Sequence, residues 1–162
     1  MKTLLLLRHA KSSWNQPELH DHDRPLNKRG KKEAPLVGKY LKDNDLLPDL
    51  IISSTARRAR QTVEMVAEAA GYTGEIRWLD ELYAAPPEEY LSALATLPES
   101  YHCVMMVGHN PGLEELVALL TEEEESLTTA AMAQVDLSVA AWSEVGMETE
   151  GNLVNIWRPR EL

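Results

Sequence analysis

The feature that most constrains this chain is a run of four leucines, Leu4 to Leu7, closed at once by Arg8-His9 and followed by small and polar residues. A short, continuously apolar run bounded this way fits a strand buried on both faces, as at the middle of a parallel sheet. An arginine and a histidine at its carboxyl end stand where open α/β sheets bind their ligands. The alternative is a core strand with a solvated basic end, and the rest of the chain bears on the choice.

Two further stretches have the same character. Leu50-Ile51-Ile52, introduced by Pro48-Asp49, ends in Ser53-Ser54-Thr55, and Cys103-Val104-Met105-Met106-Val107 ends in Gly108-His109-Asn110. Helical spacing predicts a helix from a cap at Asn27 to about Lys42, with Ala34, Val37 and Leu41 on one face and Pro35 expected to kink or shorten it. Ser53-Ser54-Thr55 offers N-cap chemistry to a second helix carrying Ala59, Thr62, Val63, Val66 and Ala70, with Gly71 just past its end. Glu75 to Leu79 alternates as a strand does; Pro87 can begin a helix with Tyr90, Leu91 and Leu94. Pro111 suits the first turn of another, striped by Leu113, Leu116, Val117 and Leu120. In the tail Ala133, Val135, Leu137 and Val139 alternate with polar residues, and Leu153, Ile156 and Trp157 suggest a last strand after turn residues Gly151-Asn152. The expected fold is α/β: one domain over 1–162, a three-layer α/β/α sandwich with a mostly parallel central sheet and closing strands at the C-terminus. Lys11 to Leu26 reads as a long polar loop, and loops of that length in compact domains are usually functional.

Charge narrows the partners. The formal net charge of −10 repels nucleic acid and anionic membrane, so neither is an expected partner. A basic cluster within so acidic a chain is then local and aimed at a small anion. The apolar run near Met1 is too short for a signal peptide and is closed by Arg8, and no segment approaches the ~20 apolar residues of a membrane span. One cysteine, Cys103, excludes a disulfide framework; the expected location is the cytoplasm.

If the three apolar strands are neighbours, their ends converge. The first delivers Arg8-His9, the second Ser53 to Thr55 and then Arg57, Arg58 and Arg60 at a helix start, the third Gly108-His109-Asn110. Forked guanidinium donors and helix N-termini both favour a tetrahedral oxyanion. Arginines at a helix N-terminus oppose the macrodipole, a cost that a bound anion offsets. A neutral imidazole in such a pocket can attack phosphorus without first losing a proton. Phosphoryl transfer asks of a protein mainly in-line placement and charge neutralisation, which arginines can supply without a metal.

Arg8-His9-Ala10-Lys11-Ser12-Ser13-Trp14-Asn15 resembles the Arg-His-Gly signature of the histidine phosphatase (phosphoglycerate-mutase-like) superfamily. Arg24-Pro25-Leu26-Asn27-Lys28-Arg29-Gly30, Ser54 to Thr62 and Val107 to Gly112 resemble its SixA-type phosphohistidine phosphatase branch, and the four motifs run in order from residue 3 to about 120. The resemblance implies that His9 is a nucleophile that becomes phosphorylated, that Arg8 and Arg58 bind phosphoryl oxygens, and that His109 completes the phosphate pocket. Arg57 and Arg60 are rivals to Arg58 for the second arginine. It further implies phosphate contact at Asn15, substrate contact at Arg24, whose other reading is a loop salt bridge, and a proton donor at Glu81, whose other reading is a structural or solvated carboxylate. No cofactor or metal is expected. The expected substrate is a phosphohistidine protein or a small phosphate ester. Ala10 departs from the usual glycine, and the chain lacks room for the insertion that mutase-like members carry near Glu81.

Rival chemistries fit less well. A cysteine phosphatase needs an arginine six residues after its cysteine, where Cys103 has His109, and no Gly-Lys-Ser/Thr loop is present. His20-Asp21-His22-Asp23 has the donor types of a metal site but reads as a solvated loop at a pocket rim or a substrate contact. A module that binds phosphate without turnover is the alternative of a different class.

Overall fold

A computed structural model describes residues 1–159. Among them six strands form one sheet: β1 (Lys2–Arg8), β2 (Leu50–Ser54), β3 (Glu75–Leu79), β4 (Cys103–Gly108), β5 (Met132–Leu137) and β6 (Gly151–Trp157), in the order β3-β2-β4-β1-β5-β6. β1, β2, β3 and β4 run parallel, whereas β5 and β6 close the sheet antiparallel. The sheet is therefore mostly parallel with closing C-terminal strands, as expected.

Alternation sorts the core into two layers. Leu5, Leu7, Ile51, Met105 and Val107 pack beneath α1 (Lys28–Asp43) and α2 (Arg57–Ala70). Leu4, Leu6, Leu50, Ile52, Val104 and Met106 pack on the other face, against α3 (Pro87–Ala95) and α4 (Gly112–Thr121). The four leucines of β1 are wholly buried because they serve both layers in turn. No helix of the described residues is long and apolar enough to cross a membrane.

Local expectations fared unevenly. Asn27 caps α1, its side chain accepting from the Gly30 amide, but Pro35 neither shortens nor ends the helix. Helix α1 is held by tertiary packing: Gly38 lies so close to α2 that an added Cβ would stand 2.4 Å from the Val66 carbonyl oxygen. Contact of that kind outweighs the one hydrogen bond a proline removes. The cap of α2 is Ala56, not the serines and threonine before it, because Ser54 remains in β2 and Thr55 is spent on Asp80. Gly151 and Asn152 belong to β6, paired with Leu137 and Asp136, rather than to a turn.

Register places the site. Arg8 lies level with Gly108, and Ser53 with Val107, so the carboxyl ends of β1, β4 and β2 finish together at one edge of the sheet.

Candidate active site

His9 follows β1 directly and is 6% exposed. Its Nδ1 lies 2.7 Å from the carbonyl oxygen of Ala10. A carbonyl only accepts, so Nδ1 carries the proton and Nε2 keeps its lone pair. The Ala10 amide is itself held by Thr62 Oγ1 of α2 at 3.0 Å, so a helix side chain steadies the residue that orients the imidazole. Burial lowers the His9 pKa to about 3, outweighing the Ala10 hydrogen bond, and His109, Arg58 and Arg8 lower it further by charge repulsion. The ring is neutral at physiological pH.

His109 follows β4, its ring centroid 5.1 Å from that of His9. Its Nε2 lies 2.8 Å from Ser54 Oγ, and its Nδ1 lies 3.5 Å from Arg58 Nη2. Because a guanidinium cannot accept, Nδ1 is the unprotonated nitrogen and Nε2–H donates to Ser54. Burial, then the charge of Arg58, lowers its pKa to about 4. The backbone is fixed by a buried phenol: the His109 amide donates to Tyr90 Oη at 3.3 Å.

The fold separates the three candidate arginines of α2. Arg58 is buried beside His109, whereas Arg57 and Arg60 are exposed and spend hydrogen bonds on the carbonyls of Asp23 and Thr55. Arg8 donates to the Leu127 carbonyl at 3.0 Å, and its charge acts on both imidazoles. Among the described residues the Arg58 Nε is buried and makes no hydrogen bond.

Asp21, in a 3-10 turn over Asp21–Asp23, gathers the remaining charges. Arg58 donates to its backbone oxygen (2.7 Å) and to Oδ2 (2.9 Å), Arg24 Nε donates to Oδ1 (3.0 Å), and Tyr83 donates its hydroxyl to Oδ2. Partial burial pushes the carboxyl up, but the hydrogen bonds from Tyr83, Arg58 and Arg24 prevail and hold it well below the usual carboxylate range. Arg24 also donates to Ser12 Oγ at 2.7 Å and stacks on the exposed Trp14 indole. His22 engages Thr55, which donates to Asp80. With Asp21 and His22 so committed, the His-Asp-His-Asp cluster supplies no group of three metal donors among the described residues.

Thus His9, Arg8, Arg58 and His109 come together, with Arg24 linked to them through Asp21. Asn15 and Glu81 are exposed: the Asn15 amide bonds Ser13 Oγ, and the Glu81 carboxylate makes no hydrogen bond or ion pair among the described residues. Sequence reasoning missed Tyr83; it brought Ser54 to the site with its strand end and the Asp21 loop to the pocket rim, but not their contacts with His109 and Arg58. Tyr83 is a neighbour of both His109 and His22 through edge-to-face contacts. The local signals for Asp21 were its place in the His20-Asp21-His22-Asp23 cluster and its position three residues before Arg24.

Comparison with known proteins agrees with this geometry. Residues 4–83 match the family model of the histidine phosphatase superfamily (branch 1). An uncharacterised chloroplastic protein of Arabidopsis thaliana is 34% identical over 152 residues, covering 88% of this chain and 70% of that protein. An uncharacterised protein of Mycobacterium tuberculosis is 35% identical over 128 residues, covering 79% of this chain and 77% of its own. The crystal structure of an Agrobacterium tumefaciens protein, provisionally described as the phosphohistidine phosphatase SixA, superposes with a TM-score of 0.84 at 33% identity, covering 98% of both chains. Fold and relatives together define a phosphoric monoester hydrolase. The chain belongs to the histidine phosphatase superfamily, branch 1, and within it to the SixA type.

Proposed function

We propose that this chain is a metal-independent phosphatase that acts on phosphohistidine in proteins through a phosphorylated His9. The observation that carries the reading is the Nδ1–H of His9 bonded to the Ala10 carbonyl, which leaves Nε2 as an unprotonated nucleophile beside His109 and Arg58. Arg8 and Arg58 bind the phosphoryl oxygens and offset the charge that develops on them. The neutral His109, its Nε2–H held by Ser54 and its Nδ1 against Arg58, lines the pocket and orients that arginine. Arg24 and Asn15 contact the substrate farther out.

The choice of substrate rests on the leaving group. An alkoxide needs a strong proton donor, and the acids near the site do not supply one readily: Asp21 is held ionised, and Glu81 is exposed without a partner that would fix it. Donation from Glu81 would serve an ester. An N-phosphorylated imidazole that already carries a proton on its other nitrogen leaves as a neutral ring and needs no such donor.

A side-by-side assay on a histidine-phosphorylated protein, a sugar phosphate and p-nitrophenyl phosphate tests this. The expected order of kcat/KM places phosphohistidine first, with inhibition by vanadate and no effect of EDTA. A preference for the sugar phosphate would move the reading to a small-ester phosphatase, and binding without turnover would make the chain a phosphate-binding module.

A further inference from the structure

A carboxylate beside the phosphate-binding arginine runs against the purpose of a pocket built for a dianion. The side chain of Arg58 is 7% exposed and that of Asp21 46%, so Asp21 lies on the solvent side of the guanidinium, at the mouth of the site. There it offsets positive charge from Arg58 and Arg24 and repels an incoming anion. Bracing Arg58 does not require that charge. The Asp21 backbone carbonyl already takes Nη1, and a neutral acceptor could take Nη2. The carboxylate also has capacity to spare. Oδ2 accepts from Tyr83 and Arg58, whereas Oδ1 accepts from Arg24 Nε alone among the described residues, leaving a site for one more donor.

We propose that Asp21 selects the leaving group: its carboxylate accepts the N–H on the distal nitrogen of a phosphorylated imidazole and disfavours phosphate esters whose leaving group carries no positive charge. This rests on the phosphohistidine reading above. The bound substrate is the N-phosphorylated imidazolium. As the His9 Nε2–phosphorus bond forms, the phosphorus–nitrogen bond of the substrate breaks and its electron pair stays on the substrate nitrogen. The distal N–H remains on the ring against Asp21, so a neutral imidazole departs. Water then attacks phosphorus, the pair of the His9–phosphorus bond returns to Nε2, and dihydrogen phosphate leaves carrying both protons of the water.

The test compares wild type with Asp21→Asn on a histidine-phosphorylated peptide and on p-nitrophenyl phosphate, with vanadate as inhibitor. Nitrophenolate leaves without protonation, so the ester reports the pocket alone. Asp21→Asn should lower kcat/KM for the phosphopeptide about ten-fold more than it lowers that for the ester, and should tighten vanadate inhibition a few-fold, as removal of a repelling charge requires. Asp21→Glu, which keeps the charge, should retain the preference, and Asp21→Ser carries the charge-loss test if the asparagine variant does not fold. Equal losses on both substrates together with weaker vanadate inhibition would reduce Asp21 to a brace and overturn the proposal. A wild type silent on the phosphopeptide but active on the ester would instead remove the phosphohistidine reading, and this proposal with it.

Discussion

His9 donates its Nδ1 proton to the carbonyl oxygen of its own neighbour, Ala10, at 2.7 Å. One backbone contact thereby decides which nitrogen can attack, and the Thr62 hydroxyl under the Ala10 amide keeps that carbonyl in place. On the proposed mechanism a nucleophile held in this way is ready before substrate arrives, because neither a base nor a metal has to strip it of a proton.

Acid should act on the fold before it acts on the nucleophile. Burial holds His9 near pKa 3 and His109 near 4, both below the 6.5 of a free imidazole. Between about pH 4 and 6.5 the unfolded chain therefore binds protons that the folded chain does not, so stability rises with pH across this window and is lost as pH falls through it. At pH 5 each histidine should cost about 2 kcal/mol relative to pH 7. Asp21, held ionised, adds a loss only below about pH 4. Urea midpoints at pH 7 and 5 measure the effect, and kcat/KM should show no inflection near 6.5 belonging to His9. Equal midpoints at the two pH values would show that these imidazoles are not buried neutral.

Among the arginines of α2, only Arg58 should matter greatly. It is buried against His109, whereas Arg57 and Arg60 face solvent and bond backbone carbonyls. Arg58→Ala should lower kcat/KM by about 10²–10³-fold, the usual effect of removing one preorganised donor to a developing oxyanion, and should weaken vanadate inhibition. Arg57→Ala and Arg60→Ala should stay within a few-fold of wild type. A larger loss at either than at Arg58 would reassign the role.

Gly108 is required by a side chain from another element. A Cβ there would stand 2.0 Å from the Tyr90 hydroxyl and 2.9 Å from the ring carbon bearing it, and Tyr90 is wholly buried with nowhere to swing. Gly108→Ala should cost about 1–3 kcal/mol, the usual range for overpacking a core. Calorimetry should show a fall in Tm of about 2–4 °C per kcal/mol for a chain of this size, and Tyr90→Phe should recover part of it in the double variant. An unchanged Tm would mean that the phenol does not lie against this glycine.

Much of the site was legible because the strands announced themselves. Three apolar runs marked β1, β2 and β4, and the residues just past each run are those the sheet brings to one edge. The spacing Arg58-Ala59-Arg60-Gln61-Thr62 also singled out, by resemblance, the arginine that the fold buries beside His109. The pairing of Asp21 with Tyr83 was illegible for a physical reason. The two meet across 62 residues of chain, a loop on a turn, where neither periodicity nor local capping leaves a trace. Ser54 was read as a helix cap because serine before a helix usually is one; the fold gives its oxygen to the Ala56 amide and to His109. Pro35 was overvalued for the opposite reason, since propensity is weak against the packing of α1 on α2.

The most direct measurement is the trapping of the intermediate. Wild-type protein given a histidine-phosphorylated peptide with radiolabelled phosphate, quenched in base and mapped by peptide, should carry acid-labile, base-stable phosphate on His9. His9→Ala should carry none and turn over no substrate while keeping its fold. Sustained turnover with no phosphate on His9, or near-normal activity of His9→Ala, would contradict the mechanism.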